Sequence, residues 1–167
     1  MNKQAPREAL QWITDILLQH KIPFQITGGL AGIVYGSGRS LNDIDIDVPE
    51  DRMQEIVSDV KKYIEFGPER YKDENWDLMV LTLNYKGQSI DLGGTDTTKT
   101  FDKNHKQWFL APCNLSSAQI HDVLGTPLPV VHPKDYIIYK RSLNRTIHGE
   151  AIDQIDAVAA ENFLRSQ

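Results

Sequence analysis

Thr27–Val48, TGGLAGIVYGSGRSLNDIDIDV, decides how the rest of the chain is read. Its last six residues, Asp43-Ile44-Asp45-Ile46-Asp47-Val48, alternate acid and aliphatic strictly, which is the period of a β-strand. Ile44, Ile46 and Val48 then share one face, and the three aspartates the other. Successive carboxylates on such a face stand roughly 6–7 Å apart and repel one another. A divalent cation among them relieves that repulsion, and oxygen-only ligands suit Mg²⁺ or Mn²⁺ rather than zinc. The first half of the stretch places Gly28-Gly29 between the apolar segment Ile22–Ile26 and a helix-like Leu30–Tyr35. Paired glycines there let backbone amides approach phosphate oxygens closely. Ser37, Arg39 and Ser40 add two hydroxyls and a fixed cation just ahead of the acidic strand. Singly, a glycine pair is a turn and a set of aspartates a solvated face. Their order and spacing together point to a metal-bound polyphosphate.

On these residues the chain resembles the nucleotidyltransferase superfamily, which includes DNA polymerase beta, CCA-adding enzymes and antibiotic nucleotidyltransferases. That family carries a Gly-Gly or Gly-Ser turn, a short helix, an Asp-x-Asp strand and a third carboxylate on a later strand. Gly28-Gly29 is similar to the first element, Asp43-Ile44-Asp45 to the second, and Asp91 within Ser89-Ile90-Asp91-Leu92 to the third. The likeness is to small single-domain lincosamide and aminoglycoside nucleotidyltransferases, and it covers about residues 22–92, and more loosely 127–158. It implies an α+β fold: a short mixed β-sheet packed by helices, with a C-terminal helical part over about 116–167 of one domain spanning 1–167. It also implies that Asp43, Asp45 and Asp91 are catalytic and hold Mg²⁺ (or Mn²⁺). By the same resemblance Gly28, Gly29, Ser37, Arg39 and Lys140 bind the nucleoside triphosphate. Asp45 with Asp47 is an alternative metal pair; otherwise Asp47 supports the site or faces solvent.

Outward from that stretch, residues 6–20 read as a helix with Ala9, Ile13, Ile16 and Leu17 on one stripe. Pro49 opens a second helix expected to run from Glu50 to about Ile64, followed by a polar loop over 67–75. Trp76–Tyr85 reads as a strand, and Lys86-Gly87 has the length of a hairpin turn. That register sets Leu83 against Ile90, Leu81 against Leu92 and Asp91 against Thr82. The small, polar stretch 93–106 is expected to be a loop, either mobile or a flap over the acceptor, with Trp108 and Phe109 anchoring its end in the core. Ser116-Ser117 is expected to cap a short helix over 118–124. Pro133 starts a helix to about Leu143 that carries Lys134, Lys140 and Arg141, the basic stretch of an acidic chain. Glu150–Leu164 reads as the last helix, with Asp153 and Asp156 expected on its solvated face, a link between Asp153 and Lys140 being the alternative.

Composition narrows the function classes. The 167 residues are 40% apolar and 25% charged, with a net charge of −5. That acidity argues against broad nucleic-acid binding without excluding a local basic pocket. One cysteine, Cys113, allows neither an internal disulfide nor a cysteine-built zinc site, and the five histidines show no ligand spacing. With no run near ~18 apolar residues and no signal-peptide pattern at the start, the expectation is a soluble cytoplasmic protein. The expected reaction moves a nucleoside monophosphate, AMP first, from an NTP to a small hydroxylated acceptor. Two rival readings are a toxin–antitoxin type nucleotidyltransferase acting on protein or tRNA, and a silent nucleotide-binding domain.

Overall fold

The acidic strand lies in the middle of a mixed sheet, and its alternation decides which face becomes core. The computed structural model describes residues 4–111 and 113–167; residues 1–3 and Pro112 lie outside them. In chain order the elements are α1 (Gln4–Gln19), β1 (Gln25–Thr27), α2 (Gly28–Val34), β2 (Asp43–Val48), α3 (Val57–Val60), β3 (Ile64–Lys72), β4 (Trp76–Tyr85), β5 (Gln88–Gly94), β6 (Lys99–Asp102), β7 (Gln107–Leu110), β8 (Gln119–Val123), β9 (Thr126–Val130), α4 (Pro133–Leu143) and α5 (Ile152–Arg165). The strands run β7-β6-β4-β5-β2-β1-β9-β8 across the sheet, with β3 also paired to β4. Among the described residues only β2–β5 and β1–β9 are parallel pairs.

Ile44 and Ile46 of β2, Leu81 and Leu83 of β4 and Ile90 and Leu92 of β5 are all fully buried on the core face. The α1 stripe of Ala9, Leu10, Ile13 and Leu17 belongs to the same hydrophobic cluster, as do Met53, Ile56 and Val60. Burying a Leu or Ile side chain contributes about 1.5–3 kcal/mol, so this face fixes the strand register. A one-residue slip would turn the aspartates inward. The β4–β5 hairpin has the expected register, with Leu83↔Ile90, Thr82↔Asp91 and Leu81↔Leu92 as partners.

Four expected elements differ. The Glu50 helix is a 3₁₀ turn over Glu50–Ile56, the single α turn α3, and a second 3₁₀ turn over Lys61–Tyr63. The expected loop after Gly67 is largely strand: β3 runs along β4, with register shifts between Ile64 and Glu69 that absorb the irregular backbone. The stretch 93–106 is partly strand rather than one continuous loop. Lys99–Asp102 pairs with Gln107–Leu110 in a hairpin whose tip is 103–106. Phe109 at its end is 40% exposed rather than anchored in the core. The segment expected as a helix over 118–124 is strand β8, joined to β9 through Leu124-Gly125, both at positive φ. Among the described residues no helix is long and apolar enough to cross a membrane.

Candidate active site

Adjacent parallel strands carry the acidic residues to one place. Asp45 of β2 is the register partner of Asp91 of β5, and both side chains leave the face opposite the core. Asp43, two residues earlier on the same face, completes the group. One carboxylate oxygen from each of Asp43, Asp45 and Asp91 lies within 4.8 Å of the others. Thr82, across the hairpin on β4, donates its hydroxyl to Asp91 Oδ1 at 2.6 Å and fixes that carboxyl. Burial and the charges of Asp43 and Asp91 push Asp45 up to about 8, with Lys140 only partly opposing them. Asp91 is raised as well, chiefly by burial, against the Thr82 hydrogen bond. Carboxylates gathered this closely and partly desolvated present an oxygen-only donor set lacking a counter-charge, which fits a divalent cation of the Mg²⁺ or Mn²⁺ kind.

Asp47 is separate from this group. It accepts from Gln25 Nε2 at 2.8 Å and from the Cys113 thiol at 3.4 Å, and burial pushes it up to about 6. Gln25 is its cross-strand partner on β1, so Asp47 has neighbours that hold it one row beyond the cluster.

The glycine corner touches the cluster directly. Gly28 has φ +60, and a Cβ built there would stand 2.0 Å from Asp45 Oδ2. Only glycine permits both that backbone conformation and that approach. The Tyr136 hydroxyl of α4 donates to the Gly28 carbonyl at 2.8 Å and ties the corner to the C-terminal helices. A Cβ on Gly29 would lie 3.2 Å from Arg39 Nη2, so the guanidinium sits against this corner.

Behind the corner lies a buried charge network. Asp156 of α5, fully buried, accepts from Arg39 Nε and Nη2, both at 2.8 Å, and pairs with Lys140 Nζ at 3.0 Å. Asp153, also fully buried, takes Lys140 Nζ at 3.1 Å together with the Arg145 guanidinium and backbone amide. Burial alone would push Asp153 up, but Arg145 and Lys140 hold it below the usual carboxylate range. The Arg145 guanidinium stacks 4.7 Å over the Trp76 ring.

Two of the expected phosphate ligands have other surroundings. Lys140 is 2% exposed and lines the cavity with its ammonium between Asp153 and Asp156. Ser37 lies away from the main cavity, in a surface depression beside Gln154 and Ile155, whereas Ser40 and Arg39 line the cavity. The solvated face expected for Asp153 and Asp156 is the buried inner face of α5. The sequence sets Thr82 opposite Asp91 and leaves a Lys140–Asp153 link open, as the structure shows, but gives no role to Asp156 or Tyr136. The available signal was two aspartates three apart on the apolar stripe of α5, downstream of Lys140 and Arg145.

The cluster, the glycine corner and Arg39 open onto one cavity of about 910 Å³. That is near the upper end for small-molecule sites. Three solved structures share the architecture over nearly their whole length. TM1012 of Thermotoga maritima, provisionally assigned as a nucleotidyltransferase, superposes with a TM-score of 0.68 at 18% identity, covering 100% of this chain and 97% of that one. The lincosamide antibiotic adenylyltransferase LnuA, in a lincomycin-bound structure, gives 0.58 at 14% identity, over 93% and 96% of the two chains. ANT(2'')-Ia, in complex with adenylyl-2''-tobramycin, gives 0.54 at 14% identity, over 95% and 97%. The chain has the nucleotidyltransferase fold. No protein-family model and no curated protein matches the sequence. At these identities the likeness is one of fold; the chemistry is argued from the cluster and the corner.

Proposed function

We propose that the protein transfers a nucleoside monophosphate, AMP foremost, from a nucleoside triphosphate to the hydroxyl of a small acceptor, with release of pyrophosphate. The observation that carries this reading is the meeting of Asp43, Asp45 and Asp91 within 4.8 Å directly beside the Gly28 corner. A binding module has little use for three unpaired carboxylates at that spacing, whereas phosphoryl transfer needs them.

Asp43, Asp45 and Asp91 would hold two Mg²⁺ ions, which supply Lewis-acid neutralisation of charge on the triphosphate. Gly28 and Gly29 present bare backbone to the β- and γ-phosphates, and Arg39, held by Asp156, faces the leaving pyrophosphate with a fixed cation. The carboxyl oxygen of Asp91 not taken by Thr82 accepts the acceptor's hydroxyl proton. The acceptor oxygen forms a bond to the α-phosphorus as the bond to the bridging oxygen breaks, and pyrophosphate leaves with that electron pair. Lys140 serves this chemistry at one remove, by balancing Asp153 and Asp156 behind Arg39.

The test is pyrophosphate release from each of the four nucleoside triphosphates in Mg²⁺, with a mixed panel of hydroxylated compounds as acceptor. Release that requires Mg²⁺, favours ATP and disappears in Asp45→Asn is the expected result. Release that persists in Asp45→Asn would sink the proposal.

A further inference from the structure

Eight large apolar side chains stand exposed among the described residues, and five of them border the cavity at the carboxylate cluster. These five are Tyr71 of β3, Phe109 and Leu110 of β7, Ile138 of α4 and Ile147, at 42%, 40%, 61%, 65% and 42% exposure. Scattered exposed hydrophobes are ordinary; their concentration around a polar-floored cavity is not.

Strand order places this rim relative to the chemistry. The glycine corner follows β1, the carboxylate cluster sits on β2 and β5, and Phe109 and Leu110 sit on β7, on the far side of β5. The corner and the β7 part of the rim, Phe109 and Leu110, therefore lie on opposite sides of the cluster. An in-line displacement brings the incoming oxygen opposite the leaving group. With pyrophosphate at the corner, the acceptor enters from the rim side.

Beyond the cluster and Asp47 the cavity is lined by three acids, Asp73, Asp102 and Asp135, the last accepting from the Ser117 hydroxyl at 3.2 Å. Asp102 accepts from the backbone amides of Asn104 and His105 and pairs with the His105 ring. Asp73 accepts from the amides of Asn75 and Trp76 and from the Tyr71 hydroxyl. These carboxylates have protein donors, and the exposed Phe, Leu and Ile side chains give the cavity mouth an apolar seat.

Building on the transfer reading above, we infer that the acceptor is an amphiphile, with one hydroxyl that reaches Asp91 and an apolar body seated on Phe109, Leu110, Ile138 and Ile147. The simplest probes are the primary alcohols from 1-propanol to 1-octanol, set against sorbitol. Transfer to them yields the alkyl ester of the nucleoside monophosphate plus pyrophosphate, the alcohol proton passing to Asp91.

Binding of each alcohol is measured by saturation-transfer NMR, and transfer by pyrophosphate release with ATP and Mg²⁺. The expected result is a gain of about fourfold per added methylene in both binding and kcat/KM. That gain is reduced in the double variant Leu110→Ser/Ile138→Ser, while sorbitol is a poor acceptor for either protein. A flat alcohol series, or sorbitol as good as 1-octanol, overturns the amphiphile and leaves the transfer reading standing. Chain-length-dependent binding with no pyrophosphate released from any acceptor removes the transfer reading, and the acceptor assignment with it. A double variant that changes oligomeric mass by sedimentation and leaves alcohol binding intact makes the rim a contact between copies, which also overturns the proposal.

Discussion

Replacing Asp156 by Asn preserves side-chain volume and removes the charge that holds two cations at once. In the native chain the Asp156 carboxylate is fully buried, with Arg39 bound through two hydrogen bonds at 2.8 Å and Lys140 at 3.0 Å. Removing one partner of a buried ion pair costs about 3–5 kcal/mol, because the other partner is left unmatched. Two features favour the lower end. Lys140 keeps Asp153 at 3.1 Å, and Arg39, with 11% side-chain exposure, can turn toward water. A loss of about 3 kcal/mol corresponds to a fall in Tm of roughly 6–12 °C for a chain of this size. The exposed pair Arg141–Glu161 is the internal control, and Glu161→Gln there costs under about 1 kcal/mol. Differential scanning calorimetry of the two variants reads the contrast. Loosening Arg39 beside Gly29 also weakens its grip on triphosphate, so KM for ATP rises about tenfold, the value of one charge-assisted hydrogen bond. Melting temperatures of Asp156→Asn and Glu161→Gln within 3 °C of each other would refute the reasoning, because the buried network would then contribute no more than a surface pair.

Three further outcomes follow from the cluster and the corner. Asp45→Asn lowers Mg²⁺-dependent pyrophosphate release by roughly 10²–10³-fold, yet it raises the melting temperature of the metal-free protein by relieving repulsion from Asp43 and Asp91. Because Asp45 and Asp47 are pushed up to about 8 and about 6, the folded state holds protons there that an unfolded carboxyl of pKa near 4 has released. Metal-free stability therefore falls as pH rises from about 5 to 8, and urea unfolding in EDTA across that range shows a decline that Mg²⁺ or Asp45→Asn reduces. Gly28→Ala costs about 2 kcal/mol from its left-handed backbone alone. Because the added methyl collides with Asp45, it also abolishes transfer, a combination that calorimetry and the pyrophosphate assay detect together.

Much of this site was legible in the sequence where a local period carried the information. Alternation in Asp43–Val48 fixed the acidic face, and a two-residue turn at Lys86-Gly87 counted Asp91 into register with Thr82. Where a segment takes its extended form from pairing with a neighbouring strand rather than from its own period, composition misled. Gly67-Pro68 and the charged residues after it read as a loop, but the long β4 supplies a partner that keeps the segment extended. Lys99–Asp102 and Gln107–Leu110 are too short to signal strands, and they gain their definition by pairing with each other, with Lys99 and Thr100 also paired to Asp77 and Trp76. In β8, Ile120 and Val123 three apart imitate a helical stripe, while the turn at Leu124-Gly125 folds the segment back on β9. The charge network was the least legible part. Asp156 meets Arg39 across 117 residues of chain, and nothing near either residue in the sequence announces the other.

Mn²⁺ binding followed by electron paramagnetic resonance, with a non-hydrolysable ATP analogue present, tests most directly whether the carboxylates of β2 and β5 form one cation site. The account predicts two Mn²⁺ bound per chain in the wild type, close enough for their signals to couple, and loss of that coupling in both Asp45→Asn and Asp91→Asn. Undiminished, coupled binding in the two variants would contradict it.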